Sequence, residues 1–160
     1  MANKRPTEED RVDAIQRLLA GLSRGDEVYD LSRAIEDLHP KNNTFPGEVF
    51  TRLAADALDL AEVTAEQPIP YEGLREKFLP ECDFRGRENR KIQYAVLTAA
   101  AARGGLEPDL LDEVIWWHAD DFWRYGLGAA VAIIRSCADR MGVAVPEFAH
   151  QLADRNGIAL

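Results

Sequence analysis

Apolar residues recur at helical spacing through most of the chain, and the first such stripe begins shortly after Thr7. Thr7 and Asp10 have the spacing of a capping box, in which each side chain accepts a hydrogen bond from the other residue's backbone at a helix start. Gly21 and Gly25 are expected to mark the end of this helix. The stripe predicts the buried side of the helix: Val12, Ile15, Leu18, Leu19 and Leu22.

Two more amphipathic helices are predicted in the first half of the chain. The second starts after Asp26 and ends at His39 and Pro40, because the residue before a proline avoids helical backbone. It forms a hairpin with the first helix, and its inward residues are Val28, Leu31, Ile35 and Leu38. The third spans about residues 46–63. Its predicted buried side is Val49, Phe50, Leu53, Ala57 and Leu60, and its water-facing side is Glu48, Arg52, Asp56 and Asp59.

The stretch from Tyr125 to Ile134 contains no charged residue and is apolar on every side of a helix. A helix of this kind has to be surrounded by neighbours, so we expect it to be central, over about residues 121–141. A continuous helix over 108–141 would be about 50 Å long, which exceeds the diameter of a domain of this size. A break is therefore expected near residues 118–121.

Shorter helical segments complete the predicted fold. We expect a short helix ending at Phe78, a helix over about 86–103, and a final helix over 146–154 that lays Phe148 and Leu152 on the core. No segment alternates apolar and polar residues as a half-buried strand does. The fold class is therefore all-α, a single compact bundle of six to eight helices around the central apolar helix. Residues 1–6 are expected to be a flexible tail, and residues 7–160 one all-helical domain.

Composition narrows the class of protein. A hydrophobic fraction of 46% with 29% charged residues is typical of a globular protein, and no apolar run is long enough to suggest a membrane span. We therefore expect a cytoplasmic protein in which Cys82 and Cys137 are reduced thiols. The frequent alanine, and arginine in preference to lysine, suggest a bacterial source. The net charge of −9 disfavours duplex nucleic acid as a ligand. No cofactor is expected.

A cluster of basic residues lies at the predicted start of the 86–103 helix. Positive charge is unfavourable there because the N-terminal end of the helix dipole is itself positive, so an anion is expected nearby. One interpretation is a phosphate or carboxylate held by arginines and free backbone N–H groups. The other is pairing with the chain's own acids, Glu81, Asp83, Asp120 or Asp121. The cluster is Arg85, Arg87, Arg90 and Lys91.

An acidic segment with a histidine and a tryptophan precedes the central helix. His118 and Asp121 are three residues apart and share a helical face, which suits acid-base chemistry, although a core histidine is the commoner role. The segment lacks the Glu-x-x-His and His-Glu-x-x-His patterns of metal-binding helices, so no metal is expected. Trp116 falls on the acidic face, where it either covers a neighbouring helix or contacts a partner.

Two functional hypotheses follow from these features. The leading one is a small helical interaction or regulatory protein that self-associates or binds a protein partner, with Trp116 in the contact. The alternative is an enzyme acting on a phosphate- or carboxylate-bearing substrate. In that case the arginines would hold the anion, and His118 with Asp121 would exchange protons.

Anion binding at the basic cluster has a direct thermal test. Sulfate or phosphate should raise the melting temperature more than chloride at matched ionic strength, because bound oxyanions gain charge-assisted hydrogen bonds. The double substitution Arg87→Ala and Arg90→Ala should remove this difference. Retention of the full anion-specific shift in the double variant would assign the cluster to intramolecular ion pairs.

Overall fold

The structure is a computed structural model that describes residues 6–35, 44–64, 66–67, 69 and 119–160, with backbone alone at 44–47, 119–126 and 129. These residues are helical and contain no strand, as the sequence predicts. Five helices lie within them: α1 Glu8–Arg24, α2 Val28–Ile35, α3 Thr44–Leu60, α4 Ala119–Met141 and α5 Val145–Arg155. None of the described helices has the length and apolar character needed to cross a bilayer.

The start of α1 is the predicted capping box. The backbone N–H of Asp10 donates to Thr7 Oγ1 at 3.2 Å, and that of Thr7 donates to Asp10 Oδ2 at 2.7 Å. The helix ends at Gly25, whereas Gly21 lies inside it with its backbone against the side chain of Leu31. A residue without a Cβ therefore lets α2 approach α1 closely within the predicted hairpin.

Four helices end in the same hydrogen-bonded turn. In each, a residue at the end of the helix or just after it has positive φ, and the following N–H reaches back five residues to a carbonyl, as in a Schellman motif. Three of these left-handed positions are Gly25, Gly142 and Gly157. The fourth is Glu62, with φ of 53° after α3, where Val63 N–H donates to Leu58 O at 2.9 Å.

The packing of the helices follows the apolar stripes. α3 packs mainly on α4, and α1 packs mainly on α5 and α2. The predicted inward residues of α1 and α2 that the structure describes are buried, apart from Val12, which is partly buried against the core. Phe50 of α3 and Phe148 of α5 are fully buried and are the largest of the buried side chains.

Helix α4 is buried around its whole circumference over the part whose side chains are described. From Leu127 to Ala138, every described side chain is buried except that of Arg135. These positions cover every direction around a helix of 3.6 residues per turn. The helix therefore has neighbours on all sides along this stretch, as the absence of charge from Tyr125 to Ile134 predicts.

The predicted boundaries differ slightly from those observed. α3 begins two residues before the predicted Pro46 and ends at Leu60, because Ala61 to Val63 form the closing turn. α4 and α5 match their predicted ranges to within two residues. The predicted helices ending at Phe78 and over 86–103 lie outside the described residues. The described part of α4 begins at Ala119, so the chain before it, where the predicted break near 118–121 would begin, also lies outside them.

Replacement of Glu62 by glycine is expected to stabilise the protein. A left-handed conformation costs a non-glycine residue about 1–2 kcal/mol. Glycine avoids this cost, but it loses more conformational entropy on folding, which offsets part of the gain. Glu62→Gly should therefore raise the free energy of unfolding by about 1 kcal/mol, measured by urea titration.

Glu62→Ala is the matched control, because it removes the carboxylate from the helix end but keeps a Cβ at the left-handed position. The glycine variant should be the more stable of the two. Equal stability would mean that the backbone at Glu62 is not strained.

Candidate functional site

The residues predicted to act chemically lie almost entirely outside the described part of the chain. This applies to the basic cluster of Arg85, Arg87, Arg90 and Lys91, and equally to Trp116 and His118. Asp121 lies in the first turn of α4, where the backbone alone is described. The anion-binding, acid-base and partner-binding roles of these residues therefore stay predictions.

The described residues bring together a set of charged and amide side chains where the start of α1, the outer side of α3 and the end of α5 meet. We call this set the polar junction: Glu8, Arg11, Glu48, Arg52, Asp56, Asp59, Arg155 and Asn156. The sequence predicts that Arg52 and Asp56 simply face water. They are instead partly buried and bind residues of other helices, because α1 and α5 lie beside α3.

Two arginines connect α1 with α3. Arg11 donates from Nε to Glu48 Oε2 at 2.9 Å, and its terminal nitrogen lies 2.8 Å from the same oxygen. Arg52 donates to Glu8 Oε1. The hydrogen bond and the positive charge of Arg52 hold the pKa of the Glu8 carboxyl below its ordinary value of 4.5. The pairs cross from one helix to the other in both directions, which fixes their register.

Asn156 connects α5 with α3. Its Nδ2 group donates to Asp56 Oδ2 at 3.1 Å and to Leu152 O at 2.9 Å, which uses both of its hydrogens. Arg52 donates to its Oδ1 at 3.4 Å. One neutral amide therefore separates a carboxylate from an arginine and also caps the end of α5.

Arg155 adds a second connection between the same two helices. Its guanidinium lies 3.5 Å from Asp56 Oδ1 and 3.6 Å from Asp59 Oδ2. The carboxylates of the polar junction are thus matched by arginines of this chain. This pairing indicates that the polar junction joins three helices. A catalytic acid or base would instead have to be available to a substrate.

The outer face of α2 carries the most exposed large apolar side chain among the described residues. Tyr29 is 67% exposed, and the Arg33 guanidinium carbon lies 5.9 Å from the centroid of its ring. Arg33 also donates to Tyr29 Oη at 3.4 Å. Asp30 is exposed on the same side of the helix, one turn before Arg33. We call these three residues the α2 face.

The one cysteine in the described part of the chain, Cys137, is a buried free thiol in α4. Burial raises its pKa to about 12, so it is protonated at neutral pH. A thiol in this state is a poor nucleophile, and its role is to fill space in the core. The sequence predicts a reduced thiol here, and the described state agrees. Cys82 lies outside the described residues.

Sequence reasoning missed the polar junction and the α2 face as groups. Glu48, Arg52 and Asp56 are spaced four residues apart with alternating charge, which indicates one polar stripe on α3. That spacing cannot say which other helix the stripe meets. The partners come from positions at the two ends of the chain, such as Glu8 and Asn156, and no local pattern connects these with α3.

Comparison with models of protein families, with curated proteins and with solved structures finds no match to this chain. Function therefore has to be inferred from the side chains of the molecule itself.

Replacement of Glu8 by glutamine is expected to reduce the sensitivity of the fold to acid. The pKa of Glu8 is lower in the folded state, so its stabilisation is complete above its unfolded value, near 4.5, and is lost as pH falls through the lower folded value. The parent should melt above Glu8→Gln at neutral pH, and the difference should shrink as pH falls below 4.5. Thermal melts across this range measure it.

Glu9→Gln controls for the loss of one carboxylate from the first turn of α1. Its melting difference from the parent should change less with pH than that of Glu8→Gln. The same pH dependence in both variants would contradict a specific contribution from the Glu8–Arg52 pair.

Proposed function

We propose that this chain is a small helical interaction or regulatory protein that self-associates, and that the α2 face is part of the contact between two copies. The carrying observation is the exposure of Tyr29 beside Arg33 on a helix whose other side is buried in the core. Tyrosine and arginine are enriched in protein interfaces, where they supply much of the binding energy.

The geometry of Tyr29 favours this role. The cation–π contact of Arg33 with the ring and its hydrogen bond to Tyr29 Oη restrict both side chains before any contact between copies forms. An ordered aromatic side chain loses less conformational entropy when it is covered. Covering its ring would also remove a large apolar area from water. Both effects favour association over leaving the ring in solvent.

A second copy of this chain fits the charges of the α2 face. A two-fold contact has to be self-complementary, because each residue meets a different residue of the same surface. Asp30 and Arg33 lie one turn apart, so two α2 helices that cross in antiparallel fashion bring each Asp30 toward Arg33 of the other copy. Each Tyr29 ring then lies next to one ion pair, on the side away from the two-fold axis.

The rest of the proposal extends to parts of the chain outside the described residues. We propose a bundle of six to eight helices around α4, in a cytoplasmic protein, with Trp116 as a second contact residue. The burial of α4 on all sides from Leu127 to Ala138 supports the bundle. The enzymatic alternative depends on Arg85, Arg87, Arg90, Lys91, His118 and Asp121, whose side chains lie outside the described part of the chain, so it stays a second hypothesis.

Sedimentation equilibrium tests the proposed contact. The parent should form a dimer that Tyr29→Ala weakens by about tenfold or more in Kd, the loss expected for an aromatic residue that an interface covers. Met141→Ala is the matched control, because Met141 is also an exposed large apolar residue, at 39%, but lies at the end of α4. It should leave the dimer intact.

A charge exchange tests the antiparallel arrangement separately. Asp30→Arg alone should weaken the dimer, and Asp30→Arg combined with Arg33→Asp should restore it, with helicity retained by circular dichroism in both variants. Trp116→Ala should also weaken the dimer without loss of helicity. A parent that stays monomeric at high concentration would contradict self-association, and failure of the double variant to recover would contradict the proposed pairing.

A further inference from the structure

We propose that Asn156 is a modification site at which deamidation converts the neutral amide of the polar junction into a carboxylate and loosens α5 from α3. The proposal is independent of the α2 face and of self-association. It rests on the residue that follows Asn156, on the hydrogen bonds of its side chain and on the charges around it.

Asn156 is followed by Gly157, and the chain contains no other asparagine before a glycine. A peptide nitrogen can attack the side-chain amide of the preceding asparagine, and glycine is the residue that obstructs this attack least, because it lacks a Cβ. The chemistry needs only water as co-reactant. Asn156 is therefore the asparagine of this chain whose neighbour most favours the reaction.

The reaction proceeds in two balanced steps. The Gly157 nitrogen gives its proton to solvent and forms a bond to Cγ of Asn156, while the bond from Cγ to Nδ2 breaks and the amide leaves as ammonia with a proton from water. Water then adds to one carbonyl of the resulting cyclic imide and opens it. The products are aspartate, or isoaspartate when the other bond of the imide breaks.

The polar junction both assists and restrains this chemistry. Arg52 donates to Oδ1 of Asn156 at 3.4 Å, the atom on which negative charge develops when the nitrogen adds to Cγ. Against this, Asp56 and Leu152 hold Nδ2, and the Gly157 N–H donates to Asp154 O at 3.1 Å. Ring closure requires the last turn of α5 to open, so the rate of deamidation reports the opening of this turn.

The product cannot keep the two hydrogen bonds that Nδ2 donates. Nδ2 uses its two hydrogens on Asp56 Oδ2 and on Leu152 O, and a carboxylate oxygen in its place brings three acceptors together without a hydrogen between them. The new charge also lies beside Asp56 and at the C-terminal end of a helix, where negative charge is unfavourable. The connection between α5 and α3 is therefore weakened by the modification.

Peptide mass spectrometry of the aged full-length chain tests the site. The peptide containing Asn156 should gain the mass difference between an amide and an acid, and should do so before peptides containing Asn3, Asn42, Asn43 or Asn89. In Asp56→Ala the conversion should be roughly tenfold faster, the factor expected when the closed turn loses one hydrogen bond to a charged group. Asp59→Ala is the matched control, because Asp59 lies on the same helix and pairs with Arg155.

Two results would overturn the site itself. One is conversion of Asn156 no faster than that of the other asparagines, and the other is equal conversion in Asp56→Ala and Asp59→Ala. The first would mean that the fold suppresses the chemistry, and the second that Asp56 does not restrain the amide.

The structural consequence is tested with Asn156→Asp, which reproduces the aspartate product. This variant should melt below the parent, and Asp56→Asn combined with Asn156→Asp should recover part of the loss by exchanging the amide and the carboxylate. Aged parent protein, in which Asn156 has become a mixture of aspartate and isoaspartate, should also melt below fresh parent protein. An unchanged melt of either the variant or the aged protein would contradict the proposed loosening, and so would a double variant no more stable than Asn156→Asp.

Discussion

The burial of α4 from Leu127 to Ala138 is the constraint on which the rest of the structure depends. A helix that exposes almost no side chain from Leu127 to Ala138 is stable only when its neighbours exclude water from every direction. α3 supplies the largest of the described contacts, and α2 and α5 supply others. Charged side chains are thereby excluded from the inner sides of these helices over the described residues, so they collect on the outer sides.

The polar junction and the α2 face are two different arrangements of the side chains on the outer sides of the helices. At the polar junction the outer sides of α1, α3 and α5 come together, and their charges pair across helices, as Glu8 does with Arg52. Exposed pairs of this kind contribute little to the free energy of unfolding, so their main effect is to fix how the helices are positioned. On α2, by contrast, Tyr29 stays largely in solvent, with the Arg33 guanidinium near its ring.

Local features of the fold could be predicted from the sequence, because local physics decides them. The capping box of Thr7 and Asp10 and the glycine that ends α1 depend on residues within one or two turns. The pairing of Asn156 with Asp56 joins positions 100 residues apart, and only the packing of whole helices brings them together. Glu62 was missed for another reason: its neighbours force a left-handed turn on a residue type that does not prefer it.

The most direct test of the central claim is a charge placed inside α4. Ala130 is 1% exposed, and an unpaired carboxylate at that position would cost several kcal/mol against a total stability of about 5–15 kcal/mol. Ala130→Asp should therefore lose its cooperative thermal transition and much of its helical circular dichroism. A variant that melts at the temperature of the parent, with the same spectrum, would contradict the burial of α4.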